Sequence, residues 1–187
     1  MNDVSNDEDA HLVETRIASD IAFAGKLLEV RSDRVKLPNG ATGTREFVVH
    51  PGAVLIVPVL DDGRFVLERQ YRYPVSRVML EFPAGKIDAG ETPLVTAQRE
   101  LEEEAGYRAA KWIPLGSIHP GIGYSTEFID LFAATGLSHV GQSLDDGEFL
   151  DIVTMSEDEL LATFDCGGLT DAKTIAALFA WRRMRGR

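Results

Sequence analysis

The chain has 187 residues, 44% hydrophobic and 26% charged, with a formal net charge of −11. That size holds one compact domain with a short appendage, and the acid excess argues against a general affinity for nucleic acid or anionic membrane. An acidic chain that handles a phosphate ligand needs local cations, either Arg and Lys or a metal. The single cysteine, Cys166, excludes an internal disulfide, and no Cys/His cluster suggests zinc; a small buried thiol is expected.

Residues 1–14 are polar and acidic and read as a flexible tail with no signal-peptide pattern. Residues 15–50 read as an N-terminal β subdomain. Short strands are expected at 27–30, 34–37 and 44–49, with a tight turn at Pro38-Asn39-Gly40. Strands this short bury little alone, so they must dock on the next domain or on a second copy of the chain.

Residues 51–187 form the main domain. Val54–Leu60 reads as a buried strand, and Arg64–Tyr71 follows as an alternating one. The run Ala53–Leu60 contains Pro58 and is too short to cross a bilayer, so no membrane partner is expected and the expected location is the cytoplasm. A further strand is predicted at Val78–Pro83. A helix then runs over about Pro93–Ala105, with Thr92 as N-cap, Pro93 in the first turn and Gly106 as its left-handed stop. Strands follow at Trp112–His119, Phe128–Thr135 and Phe149–Met155, with a loop at Ser138–Gly147. Ser156 and Glu159 have capping-box spacing for a second helix to about Phe164. A third spans about Asp171–Met184, with Ile175, Leu178, Phe179 and Trp181 as its apolar face. Three helices among strands with no strict β-α-β rhythm predict an α/β sandwich with a mixed sheet.

The first helix carries the chemistry. Spacings of three and four put Glu100, Glu103 and Glu104 on one face, and Leu94, Ala97, Leu101 and Ala105 on the adjoining face that would pack on the sheet. Like charges so spaced repel by roughly 0.2–0.5 kcal/mol per pair. Carboxylates at the negative end of a helix cost about another 0.3–1 kcal/mol each. A hard divalent cation such as Mg²⁺, which prefers oxygen ligands, removes the conflict. From charge patterning alone, a solvated acidic face and a metal site both stay open.

The segment Gly85-x5-Glu91-x7-Arg99-Glu100-Leu101-Glu102-Glu103-Glu104-Ala105-Gly106-Tyr107 resembles the Nudix box at every defined position. The resemblance implies a Nudix α/β/α sandwich and a loop-helix-loop that holds Mg²⁺ or Mn²⁺ beside a diphosphate. Glu100 and Glu104 would be metal ligands, Glu103 a ligand or base, and the carbonyl of Ala84 a further ligand. Arg99 would pair with Glu91 to fix the loop over the helix. The chemistry implied is hydrolysis, with water attacking one phosphorus and the other phosphate leaving. Gly121-Ile122-Gly123 lacks the rest of a dinucleotide-binding motif.

Arg45-Glu46, His50-Pro51-Gly52-Ala53, Gln70-Tyr71-Arg72, Glu81-Phe82-Pro83-Ala84-Gly85-Lys86, Pro120-Gly121 with Glu127, and Asp171-Ala172-Lys173-Thr174 are similar to the ADP-ribose pyrophosphatase branch of that family. The branch implies a homodimer whose N-terminal strands reach across to the partner and complete the nucleotide pocket. Arg72 and Arg45 would then contact phosphate, with surface ion pairing as the competing reading. Glu81 and Glu46 would bind base or ribose, and Pro120, Gly121 and Glu127 would line the substrate. Phe23, Tyr73 or another ring would stack on adenine. Glu148, in the acidic loop Leu144–Glu148, is the first choice for a late metal contact or base, with Asp146 behind it and a solvated turn as the alternative. His119, beside Pro120, is expected to be an ordinary packed histidine, with contact to substrate as the alternative. The function expected is hydrolysis of ADP-ribose to AMP and ribose 5-phosphate. GDP-mannose or another nucleotide sugar is the second substrate reading, and a nucleotide-sensing module without turnover is the reading of another class.

Overall fold

The computed structural model describes residues 7–186. The chain divides into two compact units. One comprises the described residues through His50 together with Gly121–Glu127, and the other comprises Pro51–Pro120 with the residues from Phe128 onward. Of the expected flexible tail, residues 1–6 lie outside the described residues, and Asp7–Leu12 forms a 3-10 helix that is exposed from Glu8 onward.

The first unit is an antiparallel sheet of β1 (Thr15–Ala24), β2 (Glu29–Lys36) and β3 (Thr42–Val49), in that order. Two strands expected at 27–30 and 34–37 are one strand, β2, because Arg31-Ser32-Asp33 pairs with β3 through Phe47, Glu46 and Arg45 instead of turning. The strand β1 was not anticipated. Gly121–Glu127 joins this unit because its backbone runs along β3: the Val48 amide donates to the Tyr124 carbonyl (2.8 Å) and the Thr126 amide to the Val48 carbonyl (3.0 Å).

The second unit is built on a seven-stranded mixed sheet. Its strands are β4 (Ala53–Val59), β5 (Phe65–Arg72), β6 (Arg77–Glu81), β7 (Ala84–Lys86), β8 (Tyr107–Ile118), β9 (Ile129–His139) and β10 (Leu150–Met155). The central order is β10-β5-β4-β9-β8, with β6 on β5 and β7 on β4. Only the β4–β9 pairing is parallel. The helices are α1 (Pro93–Glu103), α2 (Glu157–Asp165) and α3 (Ala172–Met184).

Strand β4 is buried along its whole length because both faces of the sheet are covered. Val54 and Ile56 pack with Val66, Ala97 and Leu101 on the α1 side. Leu55, Val57 and Val59 pack with Phe65, Phe82, Leu160, Leu178 and Trp181 on the α2/α3 side. The period-2 geometry of a strand divides these sets. This is the sandwich expected from the sequence.

Caps form where the sequence placed them. Thr92 and Asp171 accept from the Val95 and Thr174 amides, and Ser156 with Glu159 closes a full capping box. Gly106 sits at φ +74°, the left-handed stop expected after α1. Leu94 and Phe179, expected on packed faces, are exposed, and Thr174 and Ala177 join Leu178 and Trp181 in covering the sheet. Cys166 is also exposed, since it falls just past the end of α2 instead of on its inner face. His119 is exposed rather than packed. No helix among the described residues is long and apolar enough to cross a membrane.

Candidate active site

The last turns of α1 carry the acids, and Arg99 gathers them. Its Nε and Nη2 donate to the two oxygens of Glu91 (3.1 and 3.0 Å), and its Nη1 donates to Glu100 Oε1 and Glu103 Oε2, both at 2.9 Å. Thr96 Oγ1 adds a bond to Glu91 at 2.8 Å. A planar guanidinium suits such a divided task because its donors point in fixed directions. The hydrogen bonds from Arg99, then from Thr96, hold the Glu91 carboxyl down to about 2. The same bonds, that to Glu91 foremost, hold Arg99 above its ordinary value.

Strand β7 meets this helix face at close range. A Cβ built on Gly85 would lie 1.9 Å from Glu100 Oε1 and 2.0 Å from its carboxyl carbon. Only glycine lets the Glu100 carboxylate rest there. One residue earlier, the Ala84 amide donates to Glu104 Oε2 at 3.1 Å. Two carboxylates of α1 therefore converge on the Ala84–Gly85 backbone. Glu104 is only 5% exposed, and burial, followed by the fields of Glu68 and Glu100, pushes its carboxyl up to about 9. Burial also raises Glu100, against the opposing pull of Arg99.

The sheet contributes a second acid group. Glu68 on β5 stands directly opposite Glu81 on β6, and both are fully buried. Glu81 is well satisfied. Arg72 donates to its two oxygens at 2.8 and 2.9 Å, and Lys173 of α3 bonds to Oε2. Burial would raise Glu81, but these cations outweigh it and hold it below its ordinary value. Lys173 also bonds Asp171 at 3.0 Å, and the Phe82 amide donates to Thr174 Oγ1 at 3.0 Å. Sheet and α3 are thereby locked around Glu81. Neither oxygen of Glu68 has a hydrogen-bond partner. Burial, then Glu81, push its carboxyl up to about 8.

The acidic loop is anchored at its base. Gln142 Nε2 donates to the Glu104 carbonyl at 2.6 Å and the Ser143 amide to the Glu103 carbonyl at 3.0 Å. Further along, Glu148 Oε2 accepts from the Asp145 amide at 3.3 Å. Glu148 is close enough for its charge to act on Glu68, Glu100 and Glu104.

The second unit thus brings together Ala84, Glu91, Arg99, Glu100, Glu103 and Glu104, with Arg72 and Glu81 on the adjoining strands and Glu148 within electrostatic reach. Pro120 is exposed in the same unit. Arg45, Glu46, Gly121 and Glu127 belong to the first unit. There Arg45 is paired with Glu14, Glu46 is exposed, and the Gly121 carbonyl accepts from the Tyr124 and Ser125 amides. Glu127 lies 3.9 Å from His50.

Sequence reasoning passed over Glu68 and Gln142 and gave Lys173 no role. The available signal for Glu68 was a lone acid ending the apolar run Phe65-Val66-Leu67. Lys173 was visible in the Asp171–Thr174 motif, but its tie to Glu81 spans 92 positions.

Among the described residues, no three His, Cys, Asp or Glu side chains are gathered into a ready metal cluster. Arg99 takes the oxygens of Glu100 and Glu103 that a cation would otherwise draw. The donor set still fits a hard divalent ion: it is all oxygen, it converges on a glycine cradle, and one of its acids, Glu104, is pushed toward its neutral form by burial and then by the acids around it.

A family model described as the NUDIX domain matches residues 49–178, and one described as the nucleoside diphosphate sugar hydrolase N-terminal domain matches residues 14–48. The chain belongs to the Nudix family of hydrolases. It is 37% identical over 169 residues to an ADP-ribose pyrophosphatase of Bacillus subtilis, which covers 89% of this chain and 91% of that one. It is 39% identical over 167 residues to a methanol dehydrogenase activator of Bacillus methanolicus, covering 88% and 90%. A crystal structure of an ADP compounds hydrolase superposes with a TM-score of 0.82 at 27% identity, covering 93% of this chain and 96% of that one.

Proposed function

We propose that this protein hydrolyses the diphosphate bond of ADP-ribose, yielding AMP and ribose 5-phosphate, with Mg²⁺ or Mn²⁺ as its cofactor. The observation that carries the reading is the convergence of Glu100 and Glu104 on the Ala84–Gly85 backbone beneath the Arg99 clamp. The names of the relatives add support for the substrate class.

In this reading Glu100, Glu104 and the Ala84 carbonyl would hold the ion, with Glu103 and Glu148 as further contacts. When bound, such an ion neutralises a diphosphate and makes an attacking water more acidic. The protein's own groups do the rest. Arg99 keeps Glu91 in register with α1, and its bonds to Glu100 and Glu103 are the ones a bound cation would compete for. Arg72, oriented by its forked grip on Glu81, turns its remaining donors toward a phosphate. Glu148, or Glu103 in its stead, accepts the proton of the attacking water, and the far phosphate leaves on its sugar.

Arg45, Glu46, Gly121 and Glu127 serve to bind substrate, and so does Pro120. Arg45 must exchange Glu14 for substrate to do so. The protein works as a homodimer through the first unit, where Ile17, Ile21 and Phe23 of β1 are 52%, 60% and 56% exposed. A sheet of three strands gains by covering apolar side chains so exposed. An exposed free thiol at Cys166 suits a reducing compartment, the cytoplasm.

The deciding experiment is a phosphatase-coupled panel of ADP-ribose, GDP-mannose, NADH, diadenosine polyphosphates and 8-oxo-dGTP, each with Mg²⁺ or Mn²⁺. ADP-ribose is expected to lead. Comparable rates on a nucleoside triphosphate would refute the assignment, and a lead for GDP-mannose would move it to another nucleotide sugar. Light scattering on the eluting protein tests the dimer.

A further inference from the structure

Glu68 is the acid that the proposed mechanism leaves without work. It is fully buried, and neither of its oxygens receives a hydrogen bond. Buried carboxyls normally find donors, because burying one without them costs several kcal/mol on the scale of roughly 2–7 for a polar group. The cations nearby do not supply that need, since Arg72 and Lys173 direct their hydrogen bonds to Glu81.

The direction of the side chain follows from the strand. Val66 packs against Ala97 and Leu101 on the α1 side of the sheet. Glu68, two residues on, points to that same side. There α1 presents Glu104, one turn beyond Leu101, and the charge of Glu68 acts on it directly. Glu68 also faces Glu148 from the acidic loop, Glu81 from β6, Arg72 from its own strand and Lys173 from α3. An unpartnered carboxylate thus points from the sheet toward the helix that carries the acids of α1.

We infer that Glu68 is a further carboxylate of the divalent-cation site, reaching from the sheet the ion that Glu100 and Glu104 would hold from the helix, directly or through one water. The inference rests on the metal reading above. It supplies the missing partner of Glu68, since a hard cation with its water shell offers what no protein donor does there.

The test measures Mn²⁺ binding by the electron paramagnetic resonance signal of free Mn²⁺, without substrate, for the wild-type chain, E68Q, E68L and E104Q. Circular dichroism and melting in EDTA establish that each variant is folded. E68Q keeps the shape of the side chain and removes its charge. E68L removes the polar group and offers an apolar surface beside Val66. Both are expected to weaken Mn²⁺ binding by at least about tenfold, the scale for groups that orient metal ligands, while melting in EDTA at or above the wild-type temperature. Mn²⁺ affinity within about twofold of wild type in either folded variant overturns the inference, and so does failure of both to fold, which would make the acid structural. If E104Q binds Mn²⁺ like the wild type, the metal reading itself has failed. If E104Q loses the ion and E68Q keeps it, only the role of Glu68 falls.

Discussion

Gly85→Ala separates the shape of the site from the stability of the fold. The added methyl would sit 1.9 Å from Glu100 Oε1, 2.0 Å from its carboxyl carbon and 2.6 Å from its Cγ, all at the far end of a flexible side chain. Glu100 can swing away, at a cost of about 0.5–1.5 kcal/mol if it leaves its rotamer, and it gives up the 2.9 Å contact to Arg99. Gly85 is not among the residues at positive φ, so alanine fits its backbone and restricts the unfolded chain, returning about 0.4–1 kcal/mol. The two effects nearly cancel. Melting in EDTA should therefore move by no more than about 4 °C, since about 1 kcal/mol corresponds to about 2–4 °C in a chain of this size. Turnover of ADP-ribose should fall by at least about 100-fold, the usual loss when a preorganised charge-stabilising group is displaced. Turnover within about threefold of wild type, with the melt unchanged, would refute the idea that Glu100 must lie against the Ala84–Gly85 backbone.

Two other perturbations read different parts of the structure. Glu81→Gln leaves Arg72 and Lys173 facing a neutral partner in a buried place, and should lower stability in urea by about 3 kcal/mol or more, as breaking a buried pair does. A urea midpoint equal to wild type would contradict the network. The carboxyls of Glu68 and Glu104 are raised to about 8 and about 9. A raised acid stabilises the fold fully below its unfolded value near 4.5 and loses that contribution as pH climbs through its folded value. Protein in EDTA should therefore lose melting temperature between about pH 6 and pH 9, and Mg²⁺ should restore more of it at the alkaline end by displacing those protons. A Mg²⁺ effect that is the same at both ends of the range would count against proton displacement at these acids.

What could be read from the chain was local. Thr92, Pro93, Gly106, Ser156 with Glu159, and Asp171 announce helix ends through contacts within a few residues, and each performs as expected. The acids of α1 were legible for the same reason, whereas their Arg99–Glu91 clamp was implied only by the Nudix resemblance. Strand β1 was not legible because register shifts between Arg16 and Ala18 and between Ile21 and Phe23 break its alternation. Its apolar residues are also exposed within the chain. Glu68 was passed over because its setting arises only when β5 meets β6 and α1 closes over the sheet. Residue type suggested a buried Cys166 and helical spacing a packed Phe179, but Cys166 falls just past the end of α2, and α3 buries Thr174, Ala177, Leu178 and Trp181 while Phe179 stays exposed.

The bonds from Gln142 and Ser143 to the carbonyls of Glu104 and Glu103 have a consequence for the order of assembly. They place hydrogen-bond donors on the electronegative end of α1, and those donors come from a segment 38 positions downstream of the helix end they cap. A nascent chain that has made α1 but not yet β9 possesses the acids without the groups that quiet the terminus beneath them. The carbonyls beneath the acids of α1 therefore gain these donors only once the chain beyond β9 has folded back onto the helix.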